Sequence, residues 1–249
     1  MDFKRRDDLY RFILFGEETT VEQLHNLKQL LVTACKVLAN EGITDAFGHI
    51  SVRIPGTDTF CIPAFLSPAL VQESDLLILD FEGKVIEGNG LPNREVYIHS
   101  ECYRRRPDVG SVCHSHSPMV KVFASLGEPL KPIENVASLF APETPIYQRV
   151  GLIVNTELGR EVAESLGDCI AVLMRGHGST VVGPSLQQAA VTAIYLEETA
   201  KLTYRARCIG TPICFTDEEV GRLSEYVWKE NSFNRAWDYY VGRLSHDSK

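Results

Sequence analysis

The apolar residues of this chain occur in short runs bounded by prolines, glycines or polar residues, and these runs restrict the fold more than any other feature. Runs such as 60–65, 76–81 and 170–174 have the length of strands. Over residues 21–41 the apolar positions instead recur at helical spacing, and Gly42 marks the expected end of that helix. No run reaches the roughly 18 apolar residues that a membrane span requires, so we expect no membrane partner.

The order of these patterns predicts an α/β fold. Further strands are expected at 49–54, 109–116 and 146–150, and further helices at 93–106, 117–124, 156–166, 184–205 and 216–243. Short strands with helices before and after them indicate a three-layer α/β arrangement. No repeat, low-complexity tract or Gly/Ser linker divides the chain, so we expect one domain over residues 1–249, with a core at about 21–207 and an aromatic helical segment at 216–243.

Charge and cysteine content exclude several classes of protein. The chain of 249 residues has a formal net charge of −8, which disfavours binding to nucleic acid or to an anionic membrane. Its 7 cysteines include no C-x-x-C pair, which is typical of reduced, buried thiols. Residues 1–12 mix acids with bases and lack the apolar segment of a secretory signal. These features predict a cytoplasmic protein.

Three histidines form the pattern with the clearest chemical meaning. His114 and His116 are two residues apart in a predicted strand, so their side chains point to the same face. His177 lies between Gly176 and Gly178, whose small size permits unusual torsions and close approach of other groups. Either motif alone is more often a core or exposed histidine. Together they favour a divalent-metal site with open positions for substrate, and Glu95 is the fourth candidate group.

Four motifs in order carry a resemblance to a known family. They are GHISVR at 48–53, LPNRE at 91–95, HSH at 114–116 and RGHG at 175–178, the last followed by a long predicted helix. This ordered set resembles the class II aldolase/adducin family over residues 21–207. The resemblance implies a single α/β/α domain around a mainly antiparallel sheet, and a homotetramer with active sites between subunits.

The resemblance also implies roles for individual residues. In family aldolases, histidines matching His114, His116 and His177 hold one divalent metal ion per subunit, here expected to be Zn²⁺ or Mn²⁺ with Fe²⁺ as an alternative. A glutamate matching Glu95 is their catalytic acid or base. Adducin-like members have lost these groups and are structural proteins, so the intact set favours catalysis.

The chain departs from the sugar-phosphate aldolases where those enzymes bind phosphate. His49 replaces the asparagine of their Gly-Asn-x-Ser turn, and Asn93-Arg94 replaces their serine pair. The segment around Ser67 also lacks their Thr-Gly turn. An arginine fork suits a carboxylate, so Arg94, His49 and Ser67 are expected to bind substrate, and Arg53 either joins this lining or forms a structural salt bridge. These departures resemble a branch containing decarboxylases of hydroxylated aromatic or pyridine dicarboxylates.

We therefore expect a metal-dependent lyase that cleaves a C–C bond of a small carboxylate, most simply by decarboxylating a hydroxylated aromatic or keto acid. The alternatives are an aldolase acting on a non-phosphorylated hydroxy-keto acid, an adducin-like interaction module and an iron-dependent oxygenase. A glutamate among apolar residues can have a raised pKa, so Glu95 is expected to deliver a proton near neutrality. Tyr240 either packs on its own subunit or reaches the substrate in a neighbouring site.

Overall fold

A computed structural model describes residues 20–224, 226 and 228–244, so the expectation for residues 1–12 lies outside the described chain. The helices are α1 (Val21–Asn40), α2 (Val96–Arg105), α3 (Pro118–Leu126), α4 (Thr156–Leu166), α5 (Leu186–Ile209), α6 (Asp217–Ser224) and α7 (Glu230–Leu244). The strands are β1 (His49–Arg53), β2 (Thr59–Pro63), β3 (Leu76–Asp80), β4 (Val85–Glu87), β5 (Ser111–Ser115), β6 (Ile146–Tyr147), β7 (Ala171–Met174) and β8 (Gly178–Gly183). Short 3₁₀ helices occur at Pro68–Leu70, Glu73–Asp75 and Val136–Phe140.

The strands form one sheet in the order β4-β3-β2-β1-β5-β8-β7-β6. Every neighbouring pair is antiparallel except β6 and β7, which are parallel. Strand β5 therefore lies between β1 and β8, with His49 opposite His114 in one ladder and Thr180 opposite His114 in the other. The centre of the sheet brings together segments that are far apart in the sequence.

Helices cover both faces of this sheet. Alternate residues of each central strand enter different cores: Cys113 of β5 packs in the core formed with α1, α3, α5 and α7, whereas Val112 packs in the core formed with α2 and α4. This alternation is what a strand buried on both faces requires. The expected three-layer α/β fold with a mainly antiparallel sheet is confirmed.

Some elements differ from the sequence prediction. Strand β8 was not predicted because its sequence, GSTVVG, is short, begins and ends with glycine and contains small polar residues. The short edge strand β4 was also missed. The expected helix at 93–106 begins three residues later because the side chain of Asn93 accepts a hydrogen bond from the backbone N–H of Glu95 at 3.0 Å, which holds a turn before α2.

The aromatic C-terminal segment is divided into α6 and α7. Trp228 lies between these two helices and donates its indole N–H to Ser138 at 2.8 Å. Among the described residues, no helix is both long enough and apolar enough to cross a membrane.

Helices α2 and α4 approach each other closely at Gly159. A Cβ atom on Gly159 would lie 2.3 Å from the carbonyl oxygen of Tyr97 in α2, which no side chain tolerates without movement of the backbone. This contact matters for the site because α2 begins directly after Glu95, while the segment before α4 contains a hydrogen-bond donor to Glu95.

We predict that Gly159→Ala destabilises the protein, although Gly→Ala in an open helix normally stabilises by up to about 1 kcal/mol. The clash with Tyr97 should cost about 1–3 kcal/mol of unfolding free energy, measured by urea denaturation. Gly221→Ala in α6 is the control, because a Cβ there would meet nothing within 4 Å. A Gly159→Ala protein as stable as Gly221→Ala would contradict the close contact.

Candidate active site

The structure brings His114, His116 and His177 together at the centre of the sheet. His114 lies on β5 and is fully buried, while His116 follows that strand directly. The Nε2 atoms of His114 and His116 are 3.1 Å apart. The three ring centroids lie 4.9–5.0 Å from one another. Two residues of one strand and one residue from the β7–β8 turn therefore direct imidazole rings into a single small volume.

The glycines that flank His177 act as the sequence predicted. Gly176 has a φ of 66°, in the left-handed region that other residues avoid, and this allows the tight turn after β7. A Cβ atom on Gly178 would lie 2.1 Å from the carbonyl oxygen of Ser115 and 3.0 Å from Cδ2 of His116. Only glycine lets β8 approach β5 closely enough for His177 to join the other two rings.

Glu95 completes the cluster from the helical layer that covers this face of the sheet. It occupies the residue immediately before α2, not the first turn of the helix. Its Oε1 accepts a hydrogen bond from the backbone N–H of Ile153 at 2.9 Å. Its Oε2 lies 3.6 Å from Nε2 of His177 and 3.8 Å from Nε2 of His114. The carboxylate is thus fixed with one oxygen held by backbone and the other facing the rings.

The expected rise in the pKa of Glu95 is wrong. Burial does raise this pKa, but the ring of His177 and the backbone N–H of Ile153 outweigh burial and hold the pKa below its usual value. The sequence could not reveal the backbone donor, which lies 58 residues away. Glu95 is therefore ionised at neutral pH. It must accept a proton before it can donate one.

The four side chains fit a divalent metal ion. One donor atom from each of Glu95, His114, His116 and His177 lies within 4.8 Å of all the others. Nε2 of His177 is buried and has no hydrogen-bond partner among the described residues, which is costly unless another group uses its lone pair. Burial lowers the pKa values of His114 and His116, so both rings are neutral and can act as ligands. Three imidazoles and one carboxylate match the donors that Zn²⁺, Mn²⁺ and Fe²⁺ accept.

His49 lies beside this cluster and belongs to a buried polar chain. Its ring centroid is 5.1 Å from that of His114, and its Nδ1 is 2.6 Å from Nε2 of His99. Nδ1 of His99 is 2.6 Å from Oγ of Ser51, which is 2.7 Å from the phenol oxygen of Tyr103. Burial lowers the pKa of His49 well below its usual value and that of His99 to about 3, so both rings are neutral.

The sequence analysis did not identify His99 or this hydrogen-bonded chain. The signal was present in the spacing. His49 and Ser51 share one face of β1, and His99 and Tyr103 are four residues apart on one face of α2. What the sequence lacked was the information that these two faces contact each other.

The other residues that were expected to bind substrate differ in exposure and in hydrogen-bond partners. Arg94 is exposed, directly precedes Glu95 and forms no ion pair or hydrogen bond with any described residue. Ser67 is partly buried and donates its hydroxyl to the carbonyl oxygen of Asp45 at 3.1 Å. Arg53 does not line the site and forms no salt bridge with a described residue. It donates to the carbonyl oxygens of residues 103, 106 and 109, and its guanidinium stacks on aromatic rings.

Tyr240 is placed away from the cluster. Its side chain is 6% exposed within the core shared by α1, α5 and α7, and its hydroxyl donates to Glu198 at 3.4 Å. The apolar face of α7 covers its own subunit, which agrees with the packing alternative and does not support the expected contact with substrate.

Comparison with known proteins identifies the class. Residues 29–204, more than half of the chain, match the family described as the Class II Aldolase and Adducin N-terminal domain. The chain belongs to this family, and the resemblance inferred from its motifs is confirmed.

Three relatives show the range of chemistry within the family. A 3,4-dihydroxyphthalate decarboxylase from Arthrobacter keyseri is 31% identical over 88% of this chain and 94% of its own length. A 5-deoxy-D-ribulose 1-phosphate aldolase from Bacillus thuringiensis serovar kurstaki is 28% identical over 81% of this chain and 95% of its length. The structure of an L-fuculose 1-phosphate aldolase from Glaciozyma antarctica PI12 superposes with a TM-score of 0.80 at 27% identity, covering 96% of each chain. Decarboxylases and aldolases are lyases, and this protein is a lyase.

We predict that His177→Ala removes metal from the protein, because one of three imidazole ligands is lost. The affinity should fall by more than the 10–100-fold typical of changes outside the ligand set. Metal content after dialysis is measured by elemental mass spectrometry, with about one ion per chain expected for the unmodified protein. His25→Ala is the control, since His25 is exposed on α1 and pairs with Glu73. Full metal content in the His177→Ala protein would exclude this ligand.

Proposed function

We propose that this protein is a divalent-metal-dependent decarboxylase of a small aromatic acid that has a hydroxyl group next to its carboxylate, or of a keto acid of similar shape. The observation that carries the proposal is the hydrogen bonding of Ser51, the serine of the GHIS motif in β1. Its hydroxyl is fully buried and hydrogen-bonded to both His99 and Tyr103. Its single proton is used within this chain, so it has none left to donate to a substrate phosphate.

Other groups of the former phosphate region are also occupied. The Asn93 side chain holds the turn before α2, and the hydroxyl of Ser67 is bonded to the backbone of Asp45. What remains available is Arg94, exposed and without an ion-pair partner among the described residues. A guanidinium beside Glu95 suits a planar carboxylate, which supports an acid substrate over a sugar phosphate. The similarity to a 3,4-dihydroxyphthalate decarboxylase over most of both chains agrees with this choice.

Each residue of the site has a separate role in the proposed reaction. Arg94 and His49 hold the substrate carboxylate. Glu95, ionised in the resting protein, accepts the proton of the adjacent substrate hydroxyl and then delivers it to the ring carbon as the C–C bond breaks. CO₂ leaves, the electron pair of the broken bond forms the new C–H bond, and the negative charge of the carboxylate remains on the phenolate product. A divalent ion held by His114, His116 and His177 supplies Lewis acidity toward the substrate oxygens.

We also propose a cytoplasmic homotetramer with active sites between subunits. Leu152 is 53% and Val154 45% exposed, and they flank Ile153, whose N–H binds Glu95. Large apolar side chains at this position suit a neighbouring subunit that closes the site.

The proposed reaction is tested by CO₂ release from the metal-reconstituted protein. The panel contains ortho-hydroxy aromatic carboxylates and β-keto acids, each with and without a chelator. We expect chelator-sensitive CO₂ from at least one aromatic acid. The same preparation is assayed for aldehyde release from a non-phosphorylated hydroxy-keto acid and from a ketose 1-phosphate. Aldehyde release without CO₂ would replace the proposal with an aldolase, the activity of the family's structural neighbours.

We predict that Glu95→Gln lowers kcat by about 10²–10⁴-fold, the usual contribution of a general acid–base group, while metal stays bound to the three histidines. The measurement is steady-state decarboxylation together with metal content. Glu101→Gln is the matched control, because Glu101 is also a buried glutamate but lies within α2 and pairs with Arg104. Full turnover by the Glu95→Gln protein would remove Glu95 from the mechanism.

A further inference from the structure

Four imidazole rings lie at this site, but only three have nitrogens directed at a common point with Glu95. His49 is adjacent to His114 across the β1–β5 ladder and its ring is as near to His114 as neighbouring ligands are to each other, yet His49 is not part of the four-residue donor cluster. The hydrogen-bonded chain behind His49 accounts for this difference.

This hydrogen-bonded chain of side chains runs from Tyr103 through Ser51 and His99 to His49, and all four side chains are buried. The three links measure 2.7, 2.6 and 2.6 Å between heavy atoms. At such distances each link contains one proton, and because each hydroxyl supplies only one, the direction of the first link determines the direction of the rest.

Tyr103 determines that direction. Burial raises the pKa of Tyr103, so the phenol keeps its proton. Among the described residues, the acceptor within hydrogen-bonding distance of this hydroxyl is Oγ of Ser51, at 2.7 Å. The phenol proton therefore goes to Oγ of Ser51. The reverse direction would leave a buried phenol proton unpaired, at a cost of about 1–3 kcal/mol.

The remaining links follow. Ser51, having accepted from Tyr103, donates its own proton to Nδ1 of His99. The neutral His99 ring then has its proton on Nε2 and donates it to Nδ1 of His49. Since Nδ1 of His49 is an acceptor, the proton of this ring is on Nε2, which hydrogen-bonds no described residue.

We propose that Tyr103, Ser51 and His99 are positioning residues that hold His49 as the Nε2–H tautomer, making it a hydrogen-bond donor to the substrate and preventing it from becoming a fourth metal ligand. A ring nitrogen that has a proton has no lone pair for a metal. The donor role of His49 toward a substrate carboxylate rests on the proposed decarboxylase function. The Nε2–H tautomer of His49 does not depend on that function.

The test is ¹⁵N NMR of the zinc-loaded full chain labelled with ¹⁵N-histidine, recorded on sedimented protein without substrate. Protonated and unprotonated ring nitrogens have well-separated shifts, and the signals of His49 are those absent from the His49→Gln protein. We expect Nε2 of His49 to be protonated and Nδ1 not. The opposite tautomer, or a metal-bound Nε2, overturns the proposal without bearing on the decarboxylase function.

Tyr103→Phe tests the origin of the tautomer. The loss of the phenol proton removes the preference for one direction, so His49 should become a mixture of tautomers. With substrate, kcat/KM should fall about tenfold, the size of one lost hydrogen bond, mainly through KM and with metal content unchanged.

Tyr147→Phe is the matched control, because Tyr147 is also a buried tyrosine of the same core but donates to Glu161. It should change neither the His49 spectrum nor kcat/KM. A single Nε2–H tautomer retained in Tyr103→Phe would show that the chain does not fix His49. If that variant does not fold, the spectrum of the unmodified protein still decides the tautomer. Absence of CO₂ from every substrate, with the expected tautomer present, would reject the decarboxylase function alone.

Discussion

The structure around this site depends on one constraint: a carboxylate buried between two layers must be matched by polar partners. Glu95 meets this requirement through the N–H of Ile153 and the rings of His114 and His177. Each partner comes from a different element, so the arrangement requires β5 between β1 and β8, a turn before α2, and close packing of α2 on α4. The glycines at 159, 176 and 178 are what allow those approaches, because larger residues would separate the layers or change the turn. The fold thus brings a buried carboxylate against the atoms that stabilise it.

The polar residues around Glu95 form two sets. His114, His116 and His177 direct lone pairs to one point, while His49 is held from behind by His99, Ser51 and Tyr103. The resemblance to sugar-phosphate aldolases implies a phosphate site at the GHIS segment. Here its serine is enclosed by hydrogen bonds and its first polar position is an imidazole. A protein of this family can therefore keep the metal and glutamate cluster while changing the substrate group that it recognises, which agrees with decarboxylases and aldolases occurring among its relatives.

Much of this arrangement could be predicted from sequence, for identifiable reasons. Helix α4 begins and ends where predicted, because Asn155 caps its start and Gly167 follows its end. The shared face of His114 and His116 follows from strand alternation, and the roles of Gly176 and Gly178 follow from their size. The lowered pKa of Glu95 could not be predicted, because the ring of His177 and the N–H of Ile153, which lower it, reach Glu95 only in the folded chain. Strand β8 lacks the apolar run that marks a strand, and His99 gains its meaning only when α2 packs on β1. Local sequence pattern identified the site residues. Their pKa values and hydrogen-bond partners could be assigned only from the tertiary contacts.

The central claim is that three histidines, and not the fourth beside them, form the metal site of this lyase. Pulsed EPR on the Mn²⁺-loaded protein, with ¹⁵N-labelled histidine, counts the coordinating imidazoles directly. The account predicts three histidine nitrogens coupled to the ion in the resting protein, and the same three couplings in the His49→Gln protein. Four couplings, or the loss of one on changing His49, would show that His49 is a ligand and would contradict the account. Bound Mn²⁺ that shows no coupling to histidine nitrogen would also contradict the account.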